Sequence, residues 1–218
     1  MHNNKRIGLV FDMDGVIVDN HIFHYKSWQV LAKSYNLNLN EEDYRDHMNG
    51  RTIGEVVRFL QKNASEEEVK KIGIEKEVLY RDLYQPYLTP TKGLWGFLSN
   101  AQEHKIPMCI GTSAPEKNVS FTINGLGIGH YFKTILDDRS VTKGKPHPDI
   151  YQKCAQSIGL PNEQCIVFED ALAGIEAGKA AGSKVIALAT SHERKALNAD
   201  LVINDFSEID IQMLYDLF

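Results

Sequence analysis

The sequence predicts an α/β protein, a doubly wound parallel sheet with a block of helices inserted after its first strand. Three observations carry that prediction. Short, near-continuous apolar runs recur along the chain, as strands buried on both faces require. From about residue 91 onward these runs alternate with helical patterns, the rhythm of a parallel sheet with crossover helices. Residues 21–88 break that rhythm, with helical periodicity and no good strand.

The first strand is read at residues 7–11, Ile7-Gly8-Leu9-Val10-Phe11. Residues 21–35, 41–47, 52–61 and 65–84 follow as helices, the last opened by Ser65-Glu66-Glu67-Glu68, a capping-box pattern. Thr89-Pro90-Thr91 ends the helical block. Strands are then expected at 106–112, 134–136, 165–168, 183–188 and 201–203, with helices at 94–104, 115–124, 148–158 and 171–181. Pro115 and Pro148 suit first-turn helix positions. The expected organisation is a Rossmann-like catalytic core of residues 1–20 and 89–218 and a helical cap of residues 21–88. Its two linkers, near Asp19-Asn20 and at 88–91, are natural hinges.

Asp12-Met13-Asp14-Gly15 stands directly after the first apolar run. Residues i and i+2 of an extended chain point the same way, so both carboxylates can face one site. Gly15 allows a sharp turn behind them. One carboxylate can attack an electrophile while the other moves protons, and a divalent cation would relieve their repulsion. That layout suits phosphoryl transfer through an acyl-phosphate. Asp-x-Asp-Gly also occurs in turns, helix caps and calcium loops. An EF-hand needs further oxygen ligands and a late Glu, and here Val16-Ile17-Val18 follow.

Ligands of open parallel sheets bind beyond the carboxyl ends of the strands, so the residues after each later strand matter. Thr112-Ser113-Ala114-Pro115 puts two hydroxyls before a helix N-terminus, a phosphate site by hydroxyl and backbone N–H donation. Ser113 as a simple helix cap is the competing reading. In Gly144-Lys145-Pro146-His147-Pro148, Lys145 lies in a stiff loop and can neutralise a nucleophile and a transferring phosphoryl group. Lys143 competes for that task, and a solvated surface lysine is the plain alternative. Glu169-Asp170 ends a buried strand, a carboxylate pair suited to Mg²⁺ unless Asp170 only caps the next helix.

The 218 residues are 43% hydrophobic, enough for a sizeable core, and carry a net charge of −5, which argues against general nucleic-acid binding. No apolar stretch is long enough to span a bilayer, and the first residues lack a signal-peptide core. Cys109, Cys154 and Cys165 lie in apolar contexts and are expected as reduced core thiols. The expectation is a cytoplasmic protein, monomeric by default, with no membrane partner.

The ordered set of Asp-x-Asp, Ser/Thr, Lys and Glu-Asp, each after a hydrophobic run, resembles the haloacid dehalogenase-like superfamily, in the branch with a helical cap after the first strand. The likeness covers essentially the whole chain. It rests on Phe-Asp-Met-Asp-Gly-Val-Ile-Val-Asp, Thr-Ser-Ala-Pro, Gly-Lys-Pro-His-Pro-Asp-Ile-Tyr and Phe-Glu-Asp-Ala-Leu-Ala-Gly. The nearest branches are the β-phosphoglucomutases and sugar-phosphate phosphatases. The resemblance implies Asp12 as nucleophile, Asp14 as general acid/base with a metal-binding carbonyl, and Ser113 or Thr112 with Ala114 at the phosphoryl group. It also implies Lys145 as charge balance, and Mg²⁺ held at Asp12, Asp14, Glu169 and Asp170. The substrate would be a small phosphate ester. Asp14 disfavours dehalogenation, because the dehalogenases lack a second aspartate.

In the cap, His24, Gly50, Arg51 and Lys76 are the candidate substrate residues, with Tyr25 and Trp28 nearby. Each has a plain reading as a core or surface group. His24 and Lys76 resemble cap residues of the mutase branch. Aligned on Gly50, the phosphate-gripping arginine of that branch would fall at Ile53, which cannot bind phosphate, and Arg51 approaches from another direction. Asn20 stands where that branch has a threonine. These departures favour a Mg²⁺-dependent phosphatase over a β-phosphoglucomutase. Pyrophosphate hydrolysis and a non-catalytic binding protein are weaker alternatives.

Overall fold

The computed structural model describes residues 6–48 and 52–218. The chain divides into two compact units, Met1–Asp19 with Thr89–Phe218, and Asn20–Leu88.

The larger unit is built on six strands: β1 (Gly8–Phe11), β2 (Met108–Gly111), β3 (Thr134–Leu136), β4 (Cys165–Glu169), β5 (Lys184–Leu188) and β6 (Leu201–Ile203). Their order is β3-β2-β1-β4-β5-β6, and every pairing is parallel. β1 is therefore central, and the strand order reverses beside it, where ligand crevices form in such sheets.

Period-two alternation sends neighbouring residues to opposite faces. Val10 pairs with Cys109 and Val167, and Val167 with Val185; all four belong to one buried cluster with Tyr151, Cys154 and Ile175. Phe11 and Phe168, one residue on, stack on the other face with ring centroids 4.8 Å apart, joined by Phe97, Phe132 and Phe206. Both faces are covered, which is why the strands read as unbroken apolar runs.

The smaller unit holds α1 (His21–Ser34), α2 (Glu41–His47), α3 (Ile53–Leu60) and α4 (Glu66–Tyr84). Ser65 and Glu68 form the expected capping box of α4, and Thr52 with Glu55 forms another on α3. α4 packs on α1 and α3 around Trp28, Leu31, Met48, Val57 and Ile72. Trp28 is thus a core residue of this unit, with Tyr25 packed against the same cluster.

The helices of the sheet unit are α5 (Leu94–Glu103), α6 (Glu116–Leu126), α7 (Asp149–Ile158), α8 (Leu172–Ala180) and α9 (Ile211–Asp216). α7 packs on β1, β2 and β3, and α8 on β4 and β5. Pro115 and Pro148 stand at the N-cap positions of α6 and α7, one residue before the first-turn places expected of them. A ring that fixes φ near −65° fits either position. The three cysteines are free and buried, and no helix among the described residues is long and apolar enough to cross a membrane.

Candidate active site

Asp12 is the first residue beyond β1, and its N–H still donates to the Phe168 carbonyl, extending the β1–β4 ladder by one bond. Its carboxylate is thereby fixed at the central strand end. The chain then turns: the Ile17 N–H donates to the Met13 carbonyl and the Gly15 N–H to the Val18 carbonyl. Gly15 has φ of 77°, the left-handed region that glycine enters without a Cβ penalty. Thr190, after β5, donates its hydroxyl to the Gly15 carbonyl at 2.6 Å and holds this turn.

Lys145 lies in the loop before α7, its peptide to Pro146 cis. Its ammonium donates to Asp12 Oδ1 at 2.5 Å and to Glu169 Oε1 at 2.6 Å. Lys143 is exposed. Of the two lysines weighed from the sequence, Lys145 is the one brought to Asp12.

Glu169, the last residue of β4, is 1% exposed and accepts four hydrogen bonds. Lys145 and the Tyr151 hydroxyl donate to Oε1, both at 2.6 Å; the Asp170 and Ala171 N–H groups donate to Oε2 at 2.8 and 2.9 Å. Asp170 is buried beside it, and the Ser191 hydroxyl holds its carbonyl at 2.7 Å. Ala171, not Asp170, occupies the N-cap position of α8, so helix capping does not account for the Asp170 carboxylate.

Thr112 and Ser113 separate in the same way. Thr112 is buried, and its hydroxyl oxygen accepts the Ala114 N–H at 3.1 Å, so that N–H is engaged within the loop. Ser113 is exposed and makes no cap to α6.

Burial pushes the Asp12 carboxyl well above the usual range; Lys145 pulls it down, and the charges of Glu169, Asp170 and Asp14 push it up again. Burial also works against charge on Lys145, but the Asp12 and Glu169 carboxylates outweigh it and hold the lysine protonated. At Glu169 the burial penalty is outweighed by Lys145, Tyr151 and the Ala171 N–H, which keep the carboxyl below its ordinary value. Burial and the same two carboxylates raise the Tyr151 phenol, which stays a donor.

Carboxylate oxygens of Asp12, Glu169 and Asp170 lie within 4.8 Å of one another, all three residues buried. Oxygen donors of that charge suit a hard divalent cation such as Mg²⁺.

Within the helical unit, Lys76 is 4% exposed; its ammonium lies 2.7 Å from His24 Nδ1 and 2.9 Å from Glu77 Oε1. His24 stacks on Tyr80 at 4.1 Å, and Asn20 Nδ2 donates to the Tyr80 hydroxyl at 2.6 Å. His24 on α1 and Lys76 on α4, 52 residues apart in the sequence, therefore share one polar cluster of this unit. Ile53 packs against Gly73 on α4. Gly50 and Arg51 lie outside the described residues.

Two contributors to the buried cluster were quoted only within sequence motifs and given no role there. Tyr151, inside α7, anchors Glu169; a buried phenol needs a partner, which was the available signal. Gly174, in α8, leaves the space that the Glu169 carboxylate fills, since a Cβ there would overlap it.

A family model described as haloacid dehalogenase-like hydrolase matches residues 9–188. A fructose-1-phosphate phosphatase of Escherichia coli strain K12 is 29% identical over 180 residues, 82% of this chain and 94% of that protein. A β-phosphoglucomutase of Bacillus subtilis strain 168 is 28% identical over 217 residues, 95% of this chain and 93% of that one. A crystal structure of a family IA, variant 3 hydrolase from Entamoeba histolytica is 30% identical and superposes with a TM-score of 0.91, covering 97% of this chain and 98% of that chain.

Proposed function

Because the chain belongs to the haloacid dehalogenase-like hydrolases, we propose that it is a Mg²⁺-dependent phosphatase of a small sugar phosphate, working through an aspartyl-phosphate on Asp12. The observation that carries the reading is the buried Asp12 carboxylate held 2.5 Å from the Lys145 ammonium, within a three-carboxylate cluster at the central strand end.

The Asp12 carboxylate attacks phosphorus, and the bond from phosphorus to the ester oxygen breaks as the new bond forms. Asp14 gives its proton to the departing alkoxide, then takes one from the water that attacks the acyl-phosphate; phosphate leaves and Asp12 is restored. Lys145 balances charge on the equatorial oxygens without changing its own protonation. Ser113 is exposed, and Thr112 accepts the Ala114 N–H while keeping its own O–H to donate, so either hydroxyl can serve the phosphoryl group. Asp12 and Asp170 would hold Mg²⁺, with Glu169 and the Asp14 carbonyl bounding the site. Bound there, Mg²⁺ supplies charge stabilisation to the transferring phosphoryl group. The helical unit is read as the cap, with His24, Lys76, Gly50 and Arg51 choosing the substrate. The free thiols suit a reducing cytoplasm, and the protein is read as a monomer.

The alternative is a mutase, in which a sugar hydroxyl rather than water discharges Asp12. The likeness to a β-phosphoglucomutase over 95% of this chain supports it, and the packing of Ile53 against Gly73 counts against it. One assay separates the two readings. β-Glucose 1-phosphate is supplied with Mg²⁺ and a trace of the 1,6-bisphosphate, and glucose 6-phosphate and free phosphate are both measured. Free phosphate alone is expected; glucose 6-phosphate without phosphate release makes the enzyme a mutase. Neither product moves the search to fructose 1-phosphate and other esters.

A further inference from the structure

Lys145 is oriented by Glu169, and besides Lys145 itself Glu169 is held by the Tyr151 hydroxyl and the Asp170 and Ala171 N–H groups. We propose that Tyr151 and Gly174 are positioning residues for the reaction: together they seat the Glu169 carboxylate so that it sets both the Lys145 ammonium and the Asp170-Ala171 backbone. This rests on the phosphoryl-transfer reading above and deepens it.

The geometry has three parts. The Tyr151 hydroxyl donates to Glu169 Oε1, the same oxygen that accepts Lys145, and both distances are 2.6 Å. The Lys145 ammonium also lies 4.8 Å from the centroid of the Tyr151 ring, so one side chain meets both members of the pair. On the other side, a Cβ at position 174 would overlap the Glu169 carboxylate. Gly174 is a helical residue of α8 with no left-handed φ, so what its missing side chain provides is room. With Oε1 taken by Tyr151 and Lys145 and Oε2 by two backbone N–H groups, the carboxylate has a donor for each of its roughly four lone-pair sites. It has no freedom to rotate without losing bonds to a buried charge.

The two residues act in opposite ways. Tyr151 pulls the carboxylate toward Lys145, and Gly174 allows it to lie there. Deleting the phenol oxygen leaves Oε1 with one donor fewer. Adding a methyl group at 174 pushes the carboxylate bodily off its seat. Each change shifts Lys145 relative to Asp12, and misplacement of a catalytic group by about 1 Å costs on the order of 100-fold.

The test uses Tyr151→Phe and Gly174→Ala in the full chain, each measured in two ways. Turnover of p-nitrophenyl phosphate with Mg²⁺ is expected to fall roughly 10–100-fold in kcat, with KM held within about twofold, since the ester is still bound by untouched groups. In amide nitrogen–proton spectra the Asp170 and Ala171 resonances are expected to shift in both variants, because their acceptor has moved. Wild-type kcat in either variant overturns the proposal even if the amides shift. Unmoved amides with a lowered kcat also overturn it, since the loss then does not pass through Glu169. If the unmodified protein turns over no phosphate ester at all, the functional reading fails by itself; the amide shifts still decide whether Tyr151 and Gly174 seat Glu169.

Discussion

The Lys145 ammonium lies 2.5 Å from Asp12 Oδ1, a contact between two nearly buried groups 133 residues apart in the sequence. Removing one partner leaves the other without its counter-charge. Asp12→Asn should abolish turnover, by roughly 10⁴ or more, the scale seen when a covalent nucleophile is deleted. It should not unfold the protein, because burial and three neighbouring carboxylates already disfavour charge at position 12. Lys145→Ala should be the damaging change, destabilising by about 3–5 kcal/mol, since Asp12 and Glu169 then face each other without a cation. Urea unfolding beside a phosphate-release assay checks both; an active Asp12→Asn protein removes Asp12 as nucleophile.

Chelation of Mg²⁺ should stop turnover, and restoring the ion should return it. The same ion should raise the melting temperature, since a ligand bound only to the folded state stabilises it by about 2.7 kcal/mol at a hundred times its Kd. Asp170→Asn should shrink that thermal gain. Turnover persisting in excess chelator would remove the metal from the mechanism.

Asp200 offers a pH test away from the site. Burial pushes its carboxyl up, but the Val185 N–H at 2.9 Å and the Lys184 ammonium at 3.1 Å outweigh it, and the carboxyl lies below its ordinary value. Its contribution to stability is therefore complete above the unfolded carboxyl pKa of about 3.9 and disappears as pH falls through the lower folded value. The stability gap between wild type and Asp200→Asn should be widest near neutrality and close in acid. A gap that does not change with pH would show that the charge is irrelevant.

Gly96 is an exposed position within α5, and a Cβ built there meets nothing within 4 Å. Gly96→Ala should stabilise the protein by about 0.5–1 kcal/mol through helix propensity and lost unfolded-chain freedom. Chemical denaturation with unchanged kcat is the expected result; destabilisation would mean that the surface there is occupied.

The sequence singled out Asp12 as the candidate nucleophile because it follows an apolar run and precedes a glycine, all within a few residues, and the fold brings it beside Lys145 and the Glu169-Asp170 strand end. The same local logic exposed Lys145 and the Glu169-Asp170 strand end. Tyr151 and Gly174 stood inside quoted motifs with no role assigned, because their relation to Glu169 exists only across the fold: one donates to it from α7, and a Cβ on the other would overlap it. α9 was also missed, a six-residue helix too short to display helical periodicity. Its Asp210 caps it through the Met213 N–H, a signal local enough to have been read. Thr112 and Ser113 could not be told apart in the sequence, since adjacent hydroxyls differ only in which one the loop turns inward.

The central position of β1 carries a consequence for how the chain is made. β1 pairs with β2 and β4, both far along the sequence, so of the six strands the first in order waits longest for its partners. During synthesis Asp12 is exposed to solvent well before Lys145 or Glu169 has been joined to the chain. The helical segment Asn20–Leu88 has no such delay, since its contacts lie within one continuous stretch. Long-range pairing is slow relative to local helix packing. The inserted unit is therefore free to fold on the ribosome first, while the carboxylate cluster at Asp12 can assemble only once Glu169 and Asp170 have been added.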